Sequence, residues 1–265
     1  MTLDRKIVFF DIDGTILDIA TQVIPQSAVD AIRRMRANGH YAVICTGRPF
    51  PNVPPCVREI GFDAEICACG AHILVDGATA FFREVEPALA AHVRAVTRKY
   101  RVDALFESVS GTFCDGAEPS SPHIQLELSR LKPFGAPVHY DIDGPDFRFE
   151  KFCAWFNARS DRAAFEREVT PFFEPIVRGA DFLELPQKGI SKASGIAFLL
   201  EYLSVPHASS FAFGDSANDI AMFNAVSTSV LMGGGDPALE AFTSLRTETV
   251  LRDGLKSGLS ALSLI

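Results

Sequence analysis

Ile7-Val8-Phe9-Phe10-Asp11-Ile12-Asp13-Gly14-Thr15 is the stretch that decides how this chain is read. Four apolar residues in a row read as a short buried strand. The run stops at two carboxylates separated by one residue. Side chains alternate along a strand, so Asp11 and Asp13 share a face if the extended geometry continues. That places both at the mouth of a sheet, where open α/β proteins bind their ligands. Carboxylates this close repel unless a cation or a shared proton relieves them, which suits a metal-assisted reaction centre. A plain turn is the competing reading, because Asp and Gly are ordinary turn residues. The chain carries its own control in Asp141-Ile142-Asp143-Gly144. There the preceding residues are Val138-His139-Tyr140 and Pro145 follows, so the second copy reads as a surface turn.

The neighbouring sequence extends the strand into a βαβ unit. Pro25 opens a segment with Ala28, Ile32 and Met35 at helical spacing, and Asn38-Gly39 reads as its stop. Tyr41–Cys45 is a continuous apolar run of the kind found in central parallel strands, and it ends at Thr46-Gly47-Arg48-Pro49. A right-handed crossover brings both strand ends to one sheet edge, with Thr46 beside Asp11. The last third repeats the style. A helix over Ala193–Leu203 leads to a strand over Ser209–Phe213, which ends at Gly214-Asp215-Ser216-Ala217-Asn218-Asp219. A helix from Ile220 to Asn224 and a strand over Val226–Met232 follow, before Gly233-Gly234-Gly235, read as a flexible turn.

The middle differs. Helices near Pro87–Tyr100 and Asp161–Thr170 lie among short strands at Ala104–Glu107, Phe152–Phe156 and Phe182–Leu185. Pro and Gly punctuate Pro119-Ser120-Ser121-Pro122 and the stretch from Pro133 to Pro145. The expected class is α/β: a doubly wound, mostly parallel Rossmann-like core sheet over residues 1–82 and 186–265, with an inserted α+β cap domain over 83–185.

Bulk properties narrow the options. A chain of 265 residues with 48% hydrophobic residues buries a sizeable core, and a mean hydropathy of +0.15 marks a packed protein. A net charge of -8 argues against nucleic-acid or anionic-membrane partners. A phosphorylated small molecule stays compatible, since a metal and a few cations reverse the field inside one cleft. No export or membrane segment is read: Ile7–Phe10 is too short, and Gly195–Leu203 is interrupted by Glu201. The cysteines, Cys45, Cys56, Cys67, Cys69, Cys114 and Cys153, lack ligand spacing, so buried reduced thiols in a cytoplasmic protein are expected rather than zinc.

Four strand-end or helix-start features converge on one chemistry. Asp11 and Asp13 supply carboxylates, Thr46 and the Gly47 amide supply donors, Lys192 supplies a cation, and Asp215, Asn218 and Asp219 add carboxylate and amide. Phosphoryl transfer needs a nucleophile, a divalent cation and donors aimed at the phosphoryl oxygens. Oxygen-rich ligation suits Mg²⁺. Lys188 is a rival to Lys192, and Arg48 is left unassigned.

In order and in type, Asp11-x-Asp13-Gly14-Thr15, Thr46-Gly47-Arg48, Lys192 and Gly214-Asp215-x-x-Asn218-Asp219 resemble the four motifs of the haloacid dehalogenase-like hydrolase superfamily. The long insertion resembles the type IIB cap of its Cof-type subfamily, as do Gly189-Ile190-Ser191-Lys192 and Phe213-Gly214-Asp215-Ser216. The resemblance implies that Asp11 attacks phosphorus and that Asp13 protonates the leaving alcohol and then activates water. It implies Mg²⁺ held by the Asp11 carboxylate, the Asp13 carbonyl and Asp215. Phosphate would be held by Thr46, Gly47, Lys192, Asn218 and the Ile12 amide, with Asp219 supporting the metal waters or orienting Lys192. The implied activity is phosphatase action on a small phosphomonoester, a sugar phosphate or a phosphorylated cofactor such as pyridoxal phosphate or flavin mononucleotide. A phosphosugar mutase, a disaccharide-phosphate phosphatase and a non-catalytic metabolite-binding regulator remain alternatives. One departure stands out: members of that family commonly carry Asn-Gly-Ala after the third core strand, where this chain has Cys69-Gly70-Ala71.

Overall fold

The computed structural model describes residues 5–116 and 121–265. Pro119 and Ser120 of the Pro-Ser-Ser-Pro run lie outside the described residues. The chain divides into two compact units, one of residues 1–47, 55–80 and 191–265, the other of residues 48–54 and 81–190. The segment 48–54, placed by the sequence in the core, thus groups with the inserted residues.

The strands β1 (Ile7–Phe10), β2 (Tyr41–Cys45), β3 (Ala64–Cys67), β4 (His72–Val75) and β5 (Ala78–Phe82) precede the insertion. The insertion holds β6 (Asp103–Ser108), β7 (Gly111–Cys114), β8 (Val138–His139), β9 (Lys151–Trp155), β10 (Ile176–Gly179) and β11 (Phe182–Pro186). After it come β12 (Ser210–Gly214), β13 (Thr228–Leu231) and β14 (Leu245–Arg246). The helices are α1 (Gln26–Ala37), α2 (Pro55–Arg58), α3 (Pro87–Lys99), α4 (Pro122–Leu131), α5 (Arg162–Val169), α6 (Lys192–Tyr202), α7 (Ile220–Asn224) and α8 (Gly254–Ala261).

The first unit is built on an eight-stranded sheet in the order β14-β13-β12-β1-β2-β3-β4-β5. β1 lies between β12 and β2, parallel to both, with Phe9 opposite Ala212 and Val43. All four residues of β1 are buried, as a central parallel strand covered on both faces requires. β4 runs antiparallel to β3, a turn-back that the sequence reading did not assign to a strand. In α1 the buried residues Ala28, Ala31, Ile32 and Met35 form one stripe, and Arg34 and Arg36 complement the negative end of the helix.

The second unit carries a six-stranded sheet, β10-β11-β9-β6-β7-β8. Alternation along β9 splits its side chains between two cores. Phe152 and Ala154 join a phenylalanine-rich cluster with Val93 and Val96 of α3 and Phe165 and Val169 of α5. Cys153 and Trp155 face the other way, toward Ile124, Leu128 and Leu131 of α4. The ring of Phe152 meets those of Phe173 and Phe165 edge to face at 5.0 and 6.3 Å, which accounts for part of the chain's 22 phenylalanines. Helix α4 lies between the two Pro- and Gly-punctuated stretches, where the sequence reading assigned no element. Ser121 accepts a hydrogen bond from the His123 amide and Pro122 takes the first turn, so Ser-Pro here starts a helix.

Candidate active site

Parallel pairing places the ends of β12, β1 and β2 side by side, and with them Asp215, Asp11 and Thr46. The Asp11 amide continues the ladder to the Phe213 carbonyl at 3.0 Å. Its carboxylate is buried, and Oδ1 accepts from Lys192 Nζ at 2.7 Å. The same ammonium donates to Asp219 Oδ1 at 2.6 Å. Lys192 is 2% exposed and is the first residue of α6, where the helix dipole disfavours a cation. Its two carboxylate partners, not helix chemistry, explain a lysine there. Lys188 is exposed and belongs to the other unit.

Asp219 is committed on both oxygens. Oδ2 accepts the backbone amides of Asp215 and Ser216 at 3.0 and 3.2 Å, while Oδ1 holds Lys192. Gly214 makes room for it, since a Cβ there would sit 2.6 Å from Asp219 Oδ2. Gly14 makes room in the same way for Asp215. Its φ of +76° is left-handed, and a Cβ would collide with the Asp215 carboxylate. The glycine of the opening motif therefore admits an aspartate from two hundred residues away. The Thr46 backbone is tied on both sides, by its amide to Ile66 and by its carbonyl to the Cys69 amide at 3.1 Å. Cys69 adopts φ +56°, a left-handed conformation that asparagine tolerates better.

Charge in the site is unbalanced. Lys192 pairs with Asp11 and Asp219, while Asp215 lies within 4.8 Å of both carboxylates and Asp13 acts on Asp11. Burial pushes the Asp11 carboxyl up to about 7, against the opposing pull of Lys192, and Asp219 and Asp13 push it further. Burial alone would depress Lys192, yet Asp11 and Asp219 outweigh it and hold the ammonium well above its ordinary range. One oxygen from each of Asp11, Asp215 and Asp219 lies within 4.8 Å of the others, an all-oxygen donor set that fits a hard divalent cation.

Donors complete the arrangement. Among the described residues no hydrogen bond engages the amides of Ile12 and Gly47. Asn218 is partly exposed, with its Oδ1 accepting from Ser216 Oγ at 2.7 Å. Ser216 stands within the motif, where the sequence reading gave it no role. Arg48 donates from Nη1 to the Asn52 carbonyl at 2.9 Å and lies over the Phe134 ring. The second Asp-x-Asp-Gly copy is a turn, in which Asp141 Oδ1 accepts the amides of Asp143 and Gly144 and Asp143 binds Arg98. Gly233-Gly234-Gly235 is also a turn, anchored by the Gly233 amide on the Glu248 carbonyl at 3.0 Å. The six cysteines are free thiols; five are buried and Cys56 is exposed, unlike the expectation for it.

Known proteins share this arrangement's frame. The model of the haloacid dehalogenase-like hydrolase family matches residues 8–259. YkrA of Bacillus subtilis, provisionally named a phosphatase, is 28% identical over 269 residues, spanning 99% of this chain and 100% of that protein. A hypothetical protein of Geobacillus kaustophilus HTA426 superposes with a TM-score of 0.84 at 28% identity, covering 98% of this chain and 100% of that one. The subclass IIB sugar phosphatase BT4131 shares the fold, with a TM-score of 0.83 at 20% identity over 98% of this chain and 100% of its own. The chain belongs to the haloacid dehalogenase-like hydrolase family, of the Cof type, and is an enzyme of the phosphoric monoester hydrolase class. No helix among the described residues is long and apolar enough to cross a membrane.

Proposed function

We propose that this chain is a Mg²⁺-dependent phosphatase of a small phosphomonoester, working through an aspartyl-phosphate on Asp11. The observation that supports this most is the division of labour at Asp11: Oδ1 is held by Lys192, while Oδ2 has no protein hydrogen bond among the described residues. A carboxylate fixed by one oxygen and open at the other is oriented for in-line attack.

In this reading an Asp11 oxygen forms a bond to phosphorus as the ester oxygen leaves. Asp13 gives that oxygen its proton. Asp13 then takes a proton from water as the water attacks the phosphorus of the aspartyl-phosphate, releasing inorganic phosphate and restoring Asp11. The amides of Ile12 and Gly47, the Thr46 hydroxyl, Lys192 and Asn218 hold the phosphoryl oxygens, and Asp219 positions Lys192. Asp11, Asp215 and the Asp13 carbonyl would hold Mg²⁺, which supplies charge neutralisation for the phosphoryl group when bound. Residues 83–185 are proposed to select the leaving group, with a sugar phosphate as the default and a phosphorylated cofactor as the other class. Free thiols and an acidic surface fit a cytoplasmic enzyme with no nucleic-acid or membrane partner.

Hydrolysis of p-nitrophenyl phosphate tests the mechanism. Turnover should stop on chelation, return with Mg²⁺, and fall by more than about a thousandfold in Asp11→Asn. Metal-independent turnover, or substantial activity in that variant, refutes it. Release of phosphate without an added sugar bisphosphate separates the phosphatase from a mutase.

A further inference from the structure

The loop from Asp215 to Asp219 contains a hydrogen-bond chain with a set direction. The Asp219 backbone amide donates to the Ser216 carbonyl at 2.8 Å and closes the short helical turn Ala217–Asp219. A hydroxyl has one hydrogen to give, and that of Ser216 goes to Asn218 Oδ1 at 2.7 Å. The carboxamide of Asn218 thereby turns its oxygen toward the loop and its Nδ2 away from it. Among the described residues Nδ2 has no protein acceptor.

We propose that Ser216 is a positioning residue that locks the Asn218 amide in the orientation that donates to the substrate phosphate. The inference rests on the phosphatase reading, in which Asn218 meets the phosphate. The physical need is clear. An Asn side chain is nearly symmetric in shape, so a 180° flip costs little sterically, yet it would present a carbonyl dipole to an anion. Asp219 holds the loop that carries both residues: its carboxylate takes the Ser216 and Asp215 amides on Oδ2 and Lys192 on Oδ1.

The test is a cycle on the full chain with Mg²⁺, reading KM and kcat for p-nitrophenyl phosphate and inhibition by inorganic phosphate. Ser216→Ala should raise KM and weaken phosphate inhibition by about three- to tenfold, the scale of one hydrogen bond, with a smaller change in kcat. Ser216→Thr should restore both constants. Ser216→Gly preserves a good cap while removing the hydroxyl, so it should copy the alanine variant even if alanine harms the fold. Asn218→Ala should be impaired, and adding Ser216→Ala to it should change nothing further. Wild-type constants in Ser216→Gly, or the same loss with and without Asn218, overturn the inference while leaving the phosphatase reading intact. Unimpaired Asn218→Ala removes the residue from phosphate binding and overturns the reading beneath.

Discussion

Each unit of this protein buries a lysine between two carboxylates. In the first, Lys192 joins Asp11 and Asp219. In the second, Lys151 joins Glu107 and Glu184. Both lysines are almost fully buried. Their settings differ. Lys151 and Glu107 are cross-strand partners on β9 and β6, and Arg178 adds a second cation 3.7 Å from Glu184. That group balances its charge, two cations against two carboxylates, within one antiparallel sheet. The group around Lys192 has a further carboxylate, Asp215, within 4.8 Å of Asp11 and Asp219 and stands where parallel strands end, and among the described residues no hydrogen bond engages the nearby Ile12 and Gly47 amides. A buried lysine between acids is therefore not in itself a sign of catalysis; the excess charge and the open donors are.

The comparison can be broken most directly by removing each lysine. Lys192→Met should lower kcat for p-nitrophenyl phosphate by about a hundred- to a thousandfold, the scale of a lost charge donor at a reacting group. Lys151→Met should instead destabilise the chain by about 3–5 kcal/mol in urea unfolding, because it leaves buried carboxylates without their cation. Replacing Glu107, Lys151 and Glu184 together with apolar residues should recover most of that loss. An inactive, fully stable Lys151→Met enzyme would erase the distinction.

Glu150, next to Lys151, sharpens it on the side of stability. Its carboxyl is buried, and among the described residues neither oxygen makes a well-formed hydrogen bond, the Val109 amide being only near it. Burial raises it from 4.5 to about 8, with Glu84 and Glu107 adding to the rise and the Val109 amide and Lys151 opposing it. The folded state thus favours the neutral acid. Its contribution is whole below pH 4.5 and is lost as pH climbs through about 8. Urea midpoints should fall across that window, and Glu150→Gln should flatten the slope; an unchanged slope would show the acid to be ionised when folded.

The smallest effect lies beside Thr46. Cys69→Asn relieves a left-handed cysteine at φ +56° and should stabilise the protein by up to about 1 kcal/mol, read as a rise in the urea midpoint. A loss of stability would mean that the thiol's packing outweighs its backbone strain.

The sequence by itself determined the parallel core and the candidate residues at its strand ends. Apolar runs that stop at Asp11, Thr46 and Asp215 are local signals, and helical spacing in Ala28, Ile32 and Met35 is equally local. It also distinguished the two Asp-x-Asp-Gly copies, since a strand precedes only one. Tertiary structure decided the rest. Lys192 and Asp11 are 181 residues apart; Ser191-Lys192 at a helix start favoured this lysine over Lys188, but only the fold shows it buried against Asp11 and Asp219. Gly14 reads as a turn residue until Asp215 is seen packed where its side chain would be. The start of α4 at Ser121-Pro122, the turn-back of β4 and the grouping of residues 48–54 with the inserted unit follow the same rule. Turn and cap residues are shared between loops and helix ends, and only the partners brought by the fold choose between them.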